Sequence, residues 1–489
     1  MSVRFVTAAA LLLAFTAAGE ESPMKDAVVT FLPTANKHPV SGFGGEWDPH
    51  FWRAPNTRRG CDEKAWETVL DRIRAIGVAR VRMMLLPDWY EPDNDNSDPA
   101  RTDGKAFTWD SEPMCSLYRQ LDYCQKSGIR VNITWWCAPV RRQSDGAPYW
   151  MAFPNVKQWC SAPNDVEECA ENVTAALHHL FVERGYSCID AFTFCNEPDW
   201  TFFNNDNKVE FDYYATICRA IDARLKAAGL RQRLELDLAD DSSHKGWLKQ
   251  TVENLAGVAD RYNAHSYVFS CQDADYPNAM RAWVRECVKQ WGDKPFNVNE
   301  LGTRHYQGAY TATDVYTFER AFCVAQFAIL GLNEGMTGAL FWGLYDQYYY
   351  DGNDPNDGSN GGMMKTNLMA YLTEGWRLRP TGQAWTLVCH GAPRESRAHP
   401  GTSTDPGVDA VALELPGGAG TNVLLVNRTT APCNVRLDAI PLTPNAANSA
   451  KISAFGRAGL AELDASAFYT TNSVKAPPET VLLLSFASR

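Results

Sequence analysis

The sequence predicts a (β/α)8 barrel followed by an antiparallel β-sandwich. Its 489 residues exceed one ordinary core, eight β-rich runs alternate with helical patterns before residue 345, and helical periodicity nearly disappears after about residue 381. Alternating strands and helices indicate parallel βα units, and eight units close a barrel. The eight predicted strands are Val40–Trp47, Ala79–Leu86, Arg130–Trp136, Ile189–Asn196, Arg233–Ala239, Arg261–Tyr267, Phe296–Leu301 and Thr337–Leu344.

The helix predicted between the first two strands shows how the intervening elements are recognised. Asp62 is suited to cap its N-terminus and Gly77 to end it. Between them, apolar residues recur at helical spacing: Trp66, Val69, Leu70, Ile73 and Ile76. A doubly wound open sheet is the alternative fold, but its Gly-rich candidate turn, residues 42–45, is not followed directly by a helix.

The chain divides into four predicted segments. Residues 1–18 resemble a signal peptide, with Arg4 before an apolar stretch and small residues after it. Residues 19–39 include a strand-like run expected to join the β-sandwich, residues 40–380 are expected to form the (β/α)8 barrel, and residues 381–489 are expected to form the β-sandwich. We therefore expect a secreted or periplasmic protein without stable membrane insertion, since no later apolar run is long enough to span a bilayer.

Composition limits the partners. The formal charge of −12 and the lack of a basic run argue against nucleic acid as a partner. Among the 14 cysteines, Cys160 and Cys169 flank a short loop and could pair. The Asp- and Asn-rich stretches 93–98 and 351–357 contain calcium-type ligands but fit no helix–loop–helix pattern, so we interpret them as solvated loops. We expect no metal or other cofactor, and the oligomeric state stays open.

Two glutamates are the candidate catalytic residues. Glu197 follows the fourth predicted strand and Glu300 lies on the seventh, so both reach the barrel end where active sites form, on nearly opposite sides of the ring. Cleavage of a glycosidic bond needs one carboxylate at the anomeric carbon and one carboxylic acid to protonate the leaving oxygen. The residues alone do not assign the two roles, and each Glu could instead be structural, as a helix cap or an ion-pair partner.

Strand alternation gives a further expectation. If Glu197 points inward, Thr193 and Cys195 do too. On the seventh strand, Glu300 would share its face with Val298 and leave the asparagines at 297 and 299 facing the other way.

Other residues are suited to sugar binding. Asn196, beside Glu197, could bind a sugar hydroxyl or orient the acid, and Glu46 could also bind a hydroxyl. The aromatic side chains of Trp47 and Trp136 lie at strand ends, where an aromatic face can stack on a sugar.

The ordered set of motifs resembles clan A of the glycoside hydrolases, which includes families 5, 30 and 39. The resemblance covers about residues 40–345 and begins with Asn196-Glu197-Pro198 and Glu300. Similar in kind are Arg82 on the second strand, His265 and Tyr267 ending the sixth, and Trp342 ending the eighth. The stretch 41–45 is similar to the first strand of family 30.

This resemblance implies a retaining β-glycoside hydrolase with a carbohydrate substrate. It implies Glu197 as the acid/base and Glu300 as the nucleophile, in the order found in the clan. A transglycosylase with the same residues and a non-catalytic carbohydrate-binding protein are the alternatives. The sugar and its linkage are not predicted.

Overall fold

A computed structural model describes residues 23–487, apart from 205–206, 243–245, 269–274, 291–292, 304–313, 351–362, 442–449 and 467. The predicted signal peptide and the acidic stretch 351–357 lie outside the described residues. Within the described part, no helix has the length and apolar character needed to cross a membrane.

Eight parallel strands close into a barrel, in chain order around the ring. This confirms the predicted (β/α)8 architecture, and each strand lies where an apolar run predicted it. The barrel strands, called first to eighth below, are Gly42–Glu46, Arg80–Leu85, Arg130–Trp135, Ile189–Phe194, Glu235–Asp241, Arg261–Val268, Phe296–Thr303 and Gly338–Phe341.

Helices cover the outside of the barrel. Asp62 caps the first long helix by accepting a hydrogen bond from the Ala65 amide, and Gly77 ends it at a φ of 78°, as the sequence predicts. The long helices are Glu63–Ile76, Glu112–Ser127, Val166–His178, Phe211–Ala227, Gly246–Asn254, Tyr276–Arg285, Phe318–Glu334 and Pro380–Gly391.

The last of these helices extends the barrel domain beyond its predicted C-terminal boundary. Helix Pro380–Gly391 packs between helices Phe318–Glu334 and Glu63–Ile76, which makes it the eighth barrel helix. The barrel domain therefore ends near Gly391, about ten residues beyond the expected boundary at 380. The sequence did not predict this helix because it is apolar on most sides and so lacks an amphipathic pattern: its buried residues include Trp385, Leu387 and Val388.

The C-terminal β domain is a sheet of nine strands. One of its faces packs on the barrel helices and the other encloses a second apolar core. Its strands are Lys25–Phe31, Arg397–Ser403, Val408–Glu414, Gly420–Asn427, Cys433–Asp438, Ala450–Gly456, Gly459–Leu463, Ser473–Ala476 and Thr480–Ala487.

Strand Lys25–Phe31, which precedes the barrel, lies inside this sheet. It pairs antiparallel with Arg397–Ser403 and parallel with Cys433–Asp438, so the domain is not purely antiparallel. The chain thus crosses from the β domain to the barrel and back again.

The cysteine pairing considered from the sequence is not present. The sulfur of Cys160 lies 2.7 Å from that of Cys137, while Cys169 is a buried free thiol. Cys160 belongs to the short strand Cys160–Ser161, which pairs with Ala138–Pro139 just after Cys137. That pairing brings together two cysteines 23 residues apart.

Candidate active site

Both predicted catalytic glutamates lie at the carboxyl end of the barrel, and local backbone irregularity places each of them. After the fourth strand, Cys195 and Glu197 adopt positive φ angles of 67° and 45°, so the strand alternation ends before Glu197. On the seventh strand, the pairing register shifts between Val298 and Leu301, a bulge that turns Glu300 toward the barrel mouth.

The bulge also accounts for the two asparagines on that strand. Asn299 donates to the Asp237 carboxylate at 3.1 Å, and Asn297 accepts from Ser41 at 2.7 Å. Both are buried. The expectation that the asparagines face away from the Glu300 side is therefore wrong: strict alternation does not hold across a bulge.

The carboxylates of Glu197 and Glu300 approach each other closely. One oxygen of each and one ring nitrogen of His265 all lie within 4.8 Å of one another. The Glu197 side chain is 20% exposed and that of Glu300 is 7% exposed, so Glu197 is the more accessible of the two.

His265 connects the two glutamates to a third carboxylate below them. Its Nδ1 lies 2.8 Å from Glu197 Oε1 and 3.5 Å from Glu300 Oε2, and its Nε2 lies 3.1 Å from Asp240 Oδ1. Burial lowers the pKa of His265, but the Glu300 and Asp240 carboxylates outweigh it and hold that pKa well above its usual value. These carboxylates therefore favour the protonated form of the ring, in which Nδ1 can donate to Glu197.

Arg82 lies beneath the same group, fully buried. Its Nη1 donates to Glu46 at 3.0 Å and lies 3.4 Å from Glu300, while its Nη2 donates to Asn196 at 2.7 Å and to Asp240 at 2.5 Å. Burial alone would lower the pKa of Arg82, but the surrounding carboxylates raise it, so the guanidinium is a permanent charge in the centre of the site.

Glu300 receives donors from three directions. The Tyr267 hydroxyl donates a short hydrogen bond to Oε1, while Arg82 and His265 face Oε2. Burial raises the pKa of Glu300 to about 7, the Glu197 carboxylate adds to the rise, and the three donors oppose it.

Glu46 forms a second acidic pair with Asp48. Burial raises the pKa of Glu46 well above its usual value, against the attraction of Arg82. Asp48 accepts from the Tyr349 hydroxyl at 2.6 Å and from the Met84 amide at 3.2 Å.

The structure brings two of the three predicted tryptophans to this cluster. The rings of Trp136 and Trp342 lie 5.8 Å apart, and Arg82 stacks on Trp136 at 4.7 Å. Trp47 is not part of it. It is 1% exposed, stacks on Trp66 of the first long helix and donates to the Tyr345 hydroxyl at 2.9 Å. The prediction for Trp47 is wrong because it follows Glu46 directly and so lies on the helix side of the first strand.

Sequence reasoning missed Asp240 as a site residue. The fifth strand was expected to end at Ala239, whereas it continues through Asp241 and presents Asp240 to Arg82 and His265. The two successive aspartates after an apolar strand were the signal that could have identified it.

Asp237, one layer below, was also missed. It accepts from Asn263 at 2.8 Å and from Asn299 at 3.1 Å, which makes it the acceptor of a polar layer inside the barrel.

Glu197, His265 and Glu300 also have the spacing of a metal-binding group. The positive charge of Arg82, 3.4 Å from Glu300, opposes a cation at this position, so the set is better suited to proton transfer than to metal binding.

Solved structures of similar fold include several glycoside hydrolases. A family 30 xylanase C catalytic domain from Talaromyces cellulolyticus has a TM-score of 0.65 at 14% identity, covering 94% of this chain and 100% of that one. An endo-β1,6-glucanase has a TM-score of 0.64 at 13% identity, with 94% of each chain covered. A family 39 β-xylosidase from Caulobacter crescentus has a TM-score of 0.55 at 15% identity, covering 94% of this chain and 99% of that one.

At the level of the fold, these likenesses bear out the resemblance to clan A, and they leave the family unresolved. No protein-family model matches the chain. No curated protein matches it by sequence either.

Proposed function

We propose that this protein is an exported retaining β-glycoside hydrolase in which Glu300 is the nucleophile and Glu197 the acid/base. The observation that carries the proposal is the pair of carboxylates at the barrel mouth, with oxygens within 4.8 Å of each other. Retaining enzymes hold their carboxyl groups about 5–5.5 Å apart, whereas inverting enzymes need about 6.5–9.5 Å to admit a water molecule. The short separation therefore favours retention.

In the first step, a Glu300 oxygen attacks the anomeric carbon while Glu197 donates its proton to the leaving oxygen. The bond between the anomeric carbon and that oxygen breaks, and a glycosyl ester forms on Glu300. In the second step, Glu197 removes a proton from water, and the water oxygen displaces Glu300. The configuration is retained because the anomeric carbon is inverted twice.

The surroundings of the two glutamates support this division of roles. Tyr267, Arg82 and His265 all face the Glu300 carboxylate and favour its ionised form, which a nucleophile requires. Glu197 is the more exposed and contacts His265, so it is the better placed to exchange a proton with a leaving group and with water.

Asn196 and the tryptophan pair provide the sugar contacts. The Asn196 oxygen is engaged by Arg82, which leaves the amide NH2 to donate to a substrate hydroxyl. Trp136 and Trp342 supply aromatic faces beside the carboxylates on which a sugar ring can stack. The substrate is accordingly a β-linked oligosaccharide, polysaccharide or glycoconjugate.

The opposite assignment has Glu197 as the nucleophile and Glu300 as the acid/base. One observation favours it: the pKa of Glu300 is raised to about 7, and a raised pKa suits an acid.

Azide rescue distinguishes the two assignments. With an activated aryl β-glycoside, Glu197→Ala should be rescued by azide to give a β-glycosyl azide, and Glu300→Ala should give the α-azide. If Glu197→Ala gives the α-azide and Glu300→Ala the β-azide, the two roles are reversed. Equal rates of hydrolysis by the wild type and both variants would refute the proposal that these glutamates catalyse hydrolysis.

A further inference from the structure

A second group of carboxylates lies outside the candidate active site. Glu91 and Asp95 belong to the segment that follows the second barrel strand, and Glu171 belongs to helix Val166–His178. One oxygen from each of the three lies within 4.8 Å of the other two. Glu91 and Glu171 are fully buried, so two negative charges are held out of water beside a third.

Glu171 lacks the partners that a buried carboxylate needs. In the part of the chain that the structure describes, neither of its oxygens accepts a hydrogen bond. Thr102 lies close enough to lower its pKa but not within hydrogen-bond geometry, and the positive charge of Arg224 acts on it without forming an ion pair. An unpaired buried carboxylate is strongly unfavourable, because burial removes its hydration and no protein donor replaces it.

Two kinds of ligand could satisfy these oxygens. Protons are one, since burial raises the pKa of Glu91 to about 8 and that of Glu171 to about 7. A hard cation is the other, because it neutralises several carboxylates at once and binds oxygen ligands alone. Ca²⁺ takes about six to eight oxygen ligands in a flexible geometry, whereas Mg²⁺ usually keeps several waters and binds through one or two carboxylates, so a set of three protein carboxylates suits Ca²⁺ better.

Neighbouring side chains hold Glu91 in place for such an ion. Asn172 donates to Glu91 Oε2 at 2.7 Å, and its own oxygen accepts from Tyr90 at 2.5 Å and from Trp135 at 2.9 Å. Trp135 ends the third barrel strand, so the carboxylate is tied to the barrel rather than to a free loop. Fixing a ligand in this way is what metal sites commonly require.

We propose that Glu91, Asp95 and Glu171 bind a Ca²⁺ ion, which fastens the segment after the second barrel strand to helix Val166–His178. Asp95 supplies the accessible side of the site, since it is half-buried while the two glutamates are covered. The ion neutralises the unpaired Glu171 carboxylate and stabilises one wall of the barrel mouth. The site is independent of the catalytic role proposed above.

The test uses the full chain, freed of metal with a chelator and desalted at pH 7.5. CaCl2 should raise the melting temperature of the wild type by several degrees and give a one-to-one isotherm by calorimetry, and MgCl2 should do so much less. Glu171→Gln should raise the melting temperature of the metal-free protein, by removing repulsion, and should lose the calcium shift. Glu167→Gln, an exposed residue on the same helix, should keep the full shift.

Asp95→Asn provides a second variant if Glu171→Gln does not fold, and it should also lose the calcium shift. Two results would overturn the proposal. One is a calcium shift of equal size in wild type and Glu171→Gln. The other is a wild type that calcium leaves unchanged but that melts at higher temperature as the pH falls from 8 to 5, the behaviour of a cluster satisfied by protons alone.

Discussion

Asp240 and His265 form a buried contact beneath the two mouth glutamates, with Nε2 of the ring 3.1 Å from the carboxylate oxygen Oδ1. Burial opposes the charge of Asp240, yet Arg82 and His265 lower its pKa, so it remains ionised. The charge on Asp240 in turn helps keep His265 protonated. The protonation of His265, which contacts both Glu197 and Glu300, therefore depends on Asp240, which lies below them.

We expect Asp240→Asn to lower kcat by about 10- to 100-fold with a smaller effect on KM, because His265 loses a negative partner and donates less well to the glutamates. Asp240 is a positioning residue, so the pH profile is the decisive measurement: its alkaline limb should move. Asp190→Asn, which changes a carboxylate at the opposite end of the fourth strand, should leave kcat unaltered. An unchanged profile in Asp240→Asn would exclude the positioning role.

The rate should depend on pH through Glu300. Burial raises the pKa of Glu300 to about 7. Since the proposed nucleophile must be ionised, kcat/KM should fall below about pH 7, approaching tenfold per pH unit. A profile that stays level from about pH 5 to 7 would argue against Glu300 as the nucleophile.

Trp342 should contribute to substrate affinity more than to turnover. Replacing Trp342 with Phe keeps a ring beside Trp136 but reduces its area, so KM should rise by about 2- to 10-fold with kcat little changed. The exposed Trp159, changed to Phe, serves as the matched control and should have no effect. Steady-state kinetics on a soluble oligosaccharide give kcat and KM for both variants. An unaltered KM for the Trp342 variant would show that this residue is not part of the sugar site.

The polar layer inside the barrel should matter for stability. Asp237→Ala removes the acceptor for Asn263 and Asn299, leaving buried donors without a partner. We expect the free energy of unfolding to fall by about 3 kcal/mol or more, as measured by denaturant titration. Asp26→Ala, an exposed site on the strand before the barrel, should cost less than about 0.5 kcal/mol. Equal losses of unfolding free energy in the two variants would show that the polar layer does not stabilise the barrel.

The sequence by itself determined the eight-stranded barrel and the placement of Glu197 after the fourth strand and of Glu300 on the seventh. These features follow from local patterns: apolar runs specify strands, and parallel strands bring their carboxyl ends to one side. The resemblance to clan A, rather than a local pattern, indicated Arg82, His265 and Tyr267 as neighbours of the glutamates. Side-chain direction at the ends of strands is different, because a bulge or a left-handed residue reverses alternation and depends on pairing with neighbouring strands.

Only the tertiary structure therefore decided that Glu300 and Asn299 both point into the barrel and that Trp47 belongs to the core. It also decided that Asp240 completes the site and that Pro380–Gly391 is the eighth helix. The close approach of Glu91, Asp95 and Glu171 belongs with these, because Glu171 lies about 80 residues from Glu91 along the chain. Contacts between distant residues depend on how helices pack around the ring, which no periodicity in a single segment specifies.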